Sequence, residues 1–340
     1  MPDRKAVPPV AEVAHAPAPL AIFAFVRPLT FEKVLASLAR CDDLTCGGRR
    51  AGYVFLDGAR ADGVHGGDAA KVAAVRELAE RFKAERFPNL EIIARARNLG
   101  NVPNMLQGIS QVLDAHGRIV VVEDDVLVSR HFLQYIDEAL DMYRDDLRIW
   151  CVNGYRNRLV KVPRRYPHDV YLIPRNGAWG WGTWKDRWDA VDFALSDWPA
   201  YRRVPGNLEK VDRAGVDVKR MLDAQHAGQL HAWDVQCTYH IVKNGLWAVE
   251  PRLSMTKNIG FGTDGAHWTG ENVLVSRAKY YDFSPRLPSP AELQPPPDSL
   301  ARQFPYMAAC PFLATRIVRK VKRLLWRIGP RNDSPVPMGT

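Results

Sequence analysis

Short apolar runs alternate with segments of helical periodicity from residue 20 to residue 143. The apolar runs predict strands at 20–26, 53–56, 90–94 and 118–122. Helices are predicted near 69–83 and 102–116, and two more are predicted to begin at caps formed by Thr30 and Ser129. Strand–helix alternation with short loops is typical of an α/β fold, in which helices cover both faces of a mainly parallel sheet.

Polar or charged residues directly follow all four predicted strands. They are Arg27, Asp57, the segment 95–98 that ends in Asn98, and the acidic triplet 123–125. In parallel sheets, ligands bind beyond the carboxyl ends of the strands. These positions therefore predict a nucleotide site along one rim of the sheet. Exposure of the loops would explain each polar strand end singly, but it leaves the triplet unexplained.

The triplet consists of Glu123, Asp124 and Asp125, and it follows a run of apolar residues that reads as a buried strand. Carboxylates packed together repel one another, which raises their pKa values. A divalent metal ion that carries a phosphate would relieve this repulsion. The alternative is an ordinary turn, because Asp is common at strand ends.

Motifs for other nucleotides are missing from the sequence. The first strand is followed by "RPLTFE" and not by a G-x-G-x-x-G turn, which disfavours a dinucleotide cofactor. No G-x-x-x-x-G-K-[ST] segment occurs, which disfavours a P-loop ATPase. What remains is a nucleotide whose phosphates are neutralised by a metal ion on a strand-end Asp.

Composition adds limits on the class of protein. The 340 residues are 46% hydrophobic and 10% aromatic, which excludes global disorder. No apolar run approaches the length needed to span a bilayer. The five cysteines lack metal-ligand spacing and indicate a reducing compartment. The Pro/Ala-rich residues 1–19 read as a disordered leader before a catalytic domain at 20–283.

The net charge of +9 is concentrated near the C-terminus. Residues 312–328 hold six basic side chains and no acidic one, opposite an apolar face. A Pro-rich linker (284–300) would separate this helix (301–329) from the catalytic domain, and residues 330–340 would form a disordered tail. An apolar face opposite a cationic face is typical of a helix on an anionic membrane surface. We therefore expect a cytoplasmic protein that associates peripherally with the inner face of the cell membrane.

Several motifs occur in an order that resembles a known family. They are "VVVEDDVLVSRHFLQYIDEAL", "WCVNGY" (150–155), "NGAWGWGTW" (176–184), "AWD" (232–234) and "FGTDGAHW" (261–268). This order resembles the glycosyltransferases of the GT-A (Rossmann-like) fold, specifically the N-acetylglucosaminyltransferase that starts complex N-glycan branches. The resemblance implies an inverting transferase that uses a nucleotide-diphosphate sugar and manganese. The family's N-terminal membrane anchor is missing here, so its glycoprotein substrate is not carried over.

The resemblance also implies roles for single residues. Asp125 is similar to the family's metal ligand, Asp124 to its ribose-binding Asp and Glu123 to the carboxylate that faces the donor sugar. Arg27 and Asp57 fall where the family has its phosphate-side arginine and its base-binding aspartate. Side-chain alternation along an extended segment supports this division of the triplet, because three successive carboxylates cannot all reach one ion. The donor site would divide the domain into a nucleotide-binding half (20–126) and an acceptor half (127–283).

Three further segments contain candidate residues whose roles the sequence leaves open. Asp234, in "AWD", is similar to the family's general base, but an Asp before a helix is also a common N-cap. Trp179 and Trp181 lie among glycines, where an aromatic face would suit a sugar ring, whereas Trp184 and Trp188 are expected to pack in a core. His267, in a glycine-rich segment expected to close over the donor, would contact metal or diphosphate, or would simply be solvated.

Two other functions stay open at this stage. A sugar-phosphate nucleotidyltransferase would share the sheet and the acidic rim, but it would activate a sugar phosphate instead of consuming a sugar nucleotide. A basic membrane- or nucleic-acid-binding protein without enzymatic activity would account for the charge. Nucleic acid is disfavoured, because the basic residues concentrate in one helix without a base-stacking motif.

Overall fold

The computed structural model describes residues 16–61, 67–156, 160, 162, 165–260 and 279–295. Its strands are β1 (Leu20–Ala24), β2 (Gly52–Leu56), β3 (Leu90–Ala94), β4 (Arg118–Glu123), β5 (Val126–Val128), β6 (Ile149–Asn153), β7 (Val170–Ile173), β8 (Trp181–Trp184), β9 (Trp247–Pro251) and β10 (Thr256–Asn258). Its helices are α1 (Pro28–Leu38), α2 (Asp68–Glu85), α3 (Asn101–His116), α4 (Phe132–Met142), α5 (Lys185–Asp189), α6 (Trp198–Tyr201), α7 (Asn207–Ala214), α8 (Val218–His226) and α9 (Asp234–Asn244).

An eight-stranded sheet in the order β3-β2-β1-β4-β8-β6-β9-β7 forms the centre of the fold. The first four strands in this order are parallel, with Ile22 of β1 opposite Val54 and Val122. Strand β8 runs antiparallel between β4 and β6, which brings residues from two distant parts of the chain beside the end of β4. The predicted α/β class with a mainly parallel sheet is confirmed.

Alternating side chains along the strands build two separate cores. Leu20 and Ile22 pack with the apolar faces of α1, α2 and α4, whereas Ala21 and Phe23 pack with α3 and α9 on the opposite face. This follows from the two-residue period of a strand. Helices therefore cover both faces of the sheet, as predicted. A third cluster joins helices α6, α7, α8 and α9 around Trp198.

The predicted helix caps are wrong. Helix α1 begins at Pro28, because proline fits the first turn of a helix, and the Thr30 hydroxyl donates to the Arg27 carbonyl at 3.1 Å inside that turn. Helix α4 begins at Phe132 after His131, and Ser129 lies before it. The four predicted strands and the two helices predicted with bounds match β1–β4, α2 and α3 to within two residues at each end.

Both ends of the described chain pack more closely than predicted. Ala18 is fully buried, and its amide donates to Asp137 at 2.9 Å, so the predicted leader to residue 19 extends too far. The Pro-rich stretch also packs on the domain as far as residue 295. The Tyr143 hydroxyl donates to the Pro288 carbonyl at 2.9 Å, and Leu293 is fully buried. These residues are therefore part of the folded domain and not a free spacer.

The basic segment 312–328 and the segment 261–278, with His267, lie outside the described residues. Within the described ranges, no helix has both the length and the apolar character that crossing a bilayer requires.

Candidate functional site

The carboxyl ends of β1, β2, β3 and β4 lie along one rim, because these four strands run parallel. The rim brings together Arg27, Asp57, Arg95 and the acidic triplet, as the sequence predicts. Arg95 lies over the Phe55 ring, with its guanidinium carbon 5.6 Å from the ring centre.

Arg27 joins two carboxylates of the triplet. Its Nη1 atom donates to Asp125 Oδ2 at 2.7 Å and lies 3.3 Å from Asp124 Oδ1. The amide of Phe25 donates to the second Asp124 oxygen at 3.1 Å. Strand β4 ends at Glu123, and the turn that follows brings both aspartates to one cationic group. The side chains therefore stop alternating between the two faces of the strand after Glu123, one residue earlier than expected.

Glu123 belongs to the opposite side of the strand end. It shares the face of Val121, which packs in the core that contains Trp181 and Trp233. Burial is the main cause of the raised pKa of Glu123, and the charges of Asp125, Asp124 and then Asp234 add to it, although Asp234 is far away in sequence. The rim thus has one side with Arg27 and another with Asp234.

Burial raises the pKa of all three triplet carboxyl groups above the ordinary values. It raises the pKa of Asp124 to about 7, against the lowering effect of Arg27, and neighbouring Asp125 adds to the rise. The pKa of Glu123 is raised well above its usual value by burial and then by Asp125 and Asp124. The pKa of Asp125 is also raised by burial, while Arg27 and Asn258 oppose the rise. Positive charge at this position would be stabilised.

The acidic side chains fit a hard divalent cation only as part of its coordination shell. Within the described residues, no group of three or more His, Cys, Asp or Glu side chains is arranged to hold a metal ion. Mg²⁺ and related ions commonly take one or two protein carboxylates and complete their shell with water and substrate phosphates. Asp124 and Asp125 offer oxygen donors of this kind, and the donor set therefore fits.

Asn258 and Gly260 complete the surroundings of Asp125. Strand β10 pairs with β5, with Asn258 opposite Val126. Asn258 Nδ2 donates to Asp125 Oδ1 at 3.2 Å, and the amide of Ile259 donates to the Asp125 carbonyl at 2.7 Å. Sequence reasoning missed these contacts, because 133 positions separate Asn258 from Asp125 and no local pattern connects them.

Asp57 holds the loops beyond β2 and β3 together. Its carboxylate, 4% exposed, accepts hydrogen bonds from the amides of Gly58, Leu99 and Gly100 and from Asn98 Nδ2, at 2.8–3.0 Å. Asn98 Nδ2 also donates to the Gly58 carbonyl. Asp57 thereby stabilises the start of α3, whose N-cap Gly100 has no side chain to do so. Contact of Asp57 and Asn98 with a nucleotide stays a prediction.

We expect Asp57→Ala to lower the free energy of unfolding by on the order of 3 kcal/mol. A buried donor left without an acceptor costs about 1–3 kcal/mol. The variant would leave the donors of Asp57 without this acceptor, and water would satisfy those that it can reach at the rim. Denaturant unfolding measures the change, with Asp145→Ala as the control because Asp145 is exposed. A loss no larger than that of the control would contradict this role of Asp57.

Trp181 does not lie in a loop, contrary to the prediction. It is in β8, is 0% exposed and stacks between Trp150 and Trp233, with ring centres 5.7 and 5.4 Å away. Direct contact with a sugar would require an exposed face, which Trp181 lacks. Trp184 and Trp188 are buried in the cores, which confirms that prediction.

Trp179 is the half-buried tryptophan of the same segment. Its ring meets the Tyr155 ring edge to face, with centres 4.5 Å apart. Its carbonyl accepts the Thr256 hydroxyl at 2.6 Å, which ties it to β10. An aromatic surface therefore borders the rim at Trp179 and not at Trp181.

Asp234 is the first residue of α9, and Trp233 occupies the N-cap position. The N-cap interpretation of Asp234 is therefore wrong, although a carboxylate in the first helical turn is still favoured by the helix dipole. Stacking of Trp233 on Trp181 fixes the start of the helix against β8. Asp234 is half-buried and lies near Glu123.

Comparison with known proteins gives weak structural similarity alone. No protein-family model matches the sequence, and no curated protein sequence matches it. The mannosyltransferase PcManGT of Pyrobaculum calidifontis, solved with GDP-Man and Mn²⁺, is similar over 51% of this chain and 46% of its own, with 15% identity and a TM-score of 0.35. TarS 1–349 of S. aureus is similar over 49% of this chain and 47% of its own, with 13% identity and a TM-score of 0.32. The galactosyltransferase LgtC, solved with donor and acceptor sugar analogues, is similar over 71% of this chain and 74% of its own, with 12% identity and a TM-score of 0.35.

The chain spans about half the length of the first two of these structures. Similarity at this level carries no argument about the function of this chain. The resemblance to the N-acetylglucosaminyltransferase family likewise stays a prediction.

Proposed function

We propose that this chain is a metal-dependent, inverting glycosyltransferase. It would move a sugar from a nucleotide-diphosphate sugar to a hydroxyl of a glycan, glycolipid or polysaccharide precursor. The proposed donor is a UDP-sugar. The observation that carries the proposal is the end of β4, where Arg27 contacts Asp124 and Asp125 on one side and where, on the other, Val121 packs in the same core as Trp233, the residue before Asp234. The side with Arg27 would bind the charged donor, and the side with Asp234 would bind the acceptor hydroxyl.

The side of the rim with Arg27 suits the nucleotide diphosphate. Asp125, with Asp124 beside it, would hold Mn²⁺ or Mg²⁺, which when bound supplies a Lewis acid for the departing diphosphate. Arg27 lies within reach of the same position and would bind phosphate oxygens through its guanidinium fork. Asp124 Oδ2 accepts a hydrogen bond from the Phe25 amide. This contact would orient the Asp124 carboxylate for a ribose hydroxyl.

The side of the rim with Asp234 suits the acceptor. Asp234 would take the proton of the attacking hydroxyl as the general base. Glu123, between Asp234 and the aspartates, would face the donor sugar. Trp181 would contribute indirectly, because it stacks on Trp233 and so fixes the residue before Asp234. Trp179 would provide the aromatic surface for a sugar ring.

Product analysis distinguishes this reaction from nucleotide activation. The full chain is incubated with Mn²⁺ and a panel of sugar nucleotides, with and without candidate acceptors. Release of free UDP or GDP supports the transferase. Pyrophosphate-dependent formation of a nucleoside triphosphate would instead support a nucleotidyltransferase, and absence of both reactions and of donor binding would overturn the proposal.

The basic segment 312–328 provides a second, independent proposal about location. We expect it to bind anionic lipids, because each basic residue near such a surface contributes about 1 kcal/mol. Truncation after Pro297 leaves intact the contacts of Pro288 and Leu293 with the domain. The truncated protein should therefore stay folded and active on a soluble acceptor, while losing salt-sensitive sedimentation with anionic vesicles. Equal sedimentation of the truncated and full chains would refute membrane binding by the segment.

A further inference from the structure

The two oxygens of the Asp125 carboxylate have different surroundings. Oδ1 accepts a hydrogen bond from Asn258 Nδ2 at 3.2 Å, whereas Oδ2 faces the cationic Arg27 at 2.7 Å. The backbone of Asp125 is fixed as well, because the Ile259 amide donates to its carbonyl at 2.7 Å. The carboxylate therefore has one oxygen held by a neutral amide and one directed toward positive charge.

The orientation of the Asn258 side chain is determined by its second hydrogen bond. The Gly260 amide donates to Asn258 Oδ1 at 2.8 Å. Because an amide N–H needs an acceptor, the oxygen of Asn258 must face Gly260, and its NH₂ group must then face Asp125. Asn258 is buried, and its pairing with Val126 fixes its backbone. Turning the amide over would lose both hydrogen bonds.

Gly260 is required by the close approach of the backbone to Asp125. A Cβ atom at this position would lie 2.0 Å from Asp125 Oδ2 and 2.8 Å from the carboxyl carbon. No side chain can be accommodated there unless the carboxylate moves. Glycine at 260 thus allows the backbone to approach Oδ2 closely without displacing the carboxylate.

We propose that Asn258 is a positioning residue that orients the Asp125 carboxylate for a divalent cation, and that glycine at 260 lets the carboxylate keep this orientation. The inference rests on the proposed function, because it takes Asp125 as a cation ligand. Hydrogen-bond partners of a metal ligand fix its orientation, and their loss typically weakens metal affinity by about 10–100-fold. Asn258 has the contacts that such a partner requires.

The test measures Mn²⁺ binding to the full chain by electron paramagnetic resonance of the free ion, without a sugar nucleotide. Asn258→Ala should raise the Kd for Mn²⁺ by about 10–100-fold. Asn207→Ala is the matched control, because Asn207 is also buried and donates its Nδ2 to the Tyr201 carbonyl at 3.0 Å, but in the helical cluster of α6–α9. The control should bind Mn²⁺ as the wild type does, and melting temperatures in EDTA check folding.

The outcomes separate this inference from the proposed function. If Asn258→Ala binds Mn²⁺ as tightly as the wild type while Asp125→Ala does not bind, the positioning role is overturned and the cation site stands. If the wild type fails to bind, or Asp125→Ala binds equally well, both ideas fail together. Gly260→Ala provides a second variant should Asn258→Ala not fold, because its methyl group would displace the Asp125 carboxylate. An unchanged Kd for Gly260→Ala would overturn the role of Gly260.

Discussion

Asp125→Ala is expected to reduce glycosyl transfer by about 10³-fold or more at saturating Mn²⁺. The leaving diphosphate would lose its Lewis acid, a contribution of several kcal/mol, and each 1.36 kcal/mol corresponds to a factor of ten in rate. Arg27 would also lose its shorter contact in the triplet, at 2.7 Å, and would keep its longer contact with Asp124. Initial rates of nucleotide release with saturating donor and acceptor measure the effect.

Asp217→Ala is the matched control for this variant. Asp217 has the same side-chain exposure as Asp125, 14%, and it pairs with Arg175 at 2.9 Å away from the strand-end triplet. Its loss removes an Arg–Asp pair without touching the proposed cation site, so the rate should stay near that of the wild type. Asp124→Ala should mainly weaken donor binding. Undiminished turnover of Asp125→Ala would remove Asp125 from the reaction.

Asp234→Asn is expected to bind the donor normally and to lose about 10²–10⁴-fold in transfer rate. A positioned general base contributes a factor of this size, and asparagine has the shape of aspartate but cannot take a proton. Because Asp234 begins α9 and does not cap it, the change should affect folding only slightly. Calorimetry with the donor and initial-rate kinetics with the acceptor separate binding from transfer.

A second helix offers the control for the helix-dipole effect of this substitution. Asp68 is also the first residue of its helix, α2, and pairs with Arg60 at 2.6 Å. Asp68→Asn should lower the melting temperature while leaving the transfer rate per folded molecule unchanged. A fully active Asp234→Asn would leave Asp234 with a structural role at the helix start and would require another base.

Local pattern alone determined the four parallel strands β1–β4 of the sheet and part of the candidate site. The apolar runs at 20–26, 53–56, 90–94 and 118–122, which alternate with helical periodicity, indicated buried parallel strands, and parallel strands place their carboxyl ends on one rim. Arg27 and the carboxylates of Asp124 and Asp125 could therefore be predicted to lie together. The physical reason is that each of these positions is fixed by its own strand, with little influence from distant segments.

The tertiary structure alone decided the contacts that depend on the path of the chain. Strand β8 enters antiparallel beside β4 and buries Trp181, which glycines on both sides had suggested was in a loop. Strand β10 returns to β5 and brings Asn258 to Asp125, and Asp57 finds its donors at the start of α3. Such contacts join residues that share no periodicity. They form because a buried polar group needs a hydrogen-bond partner, and the partner is whichever segment the completed fold places beside it.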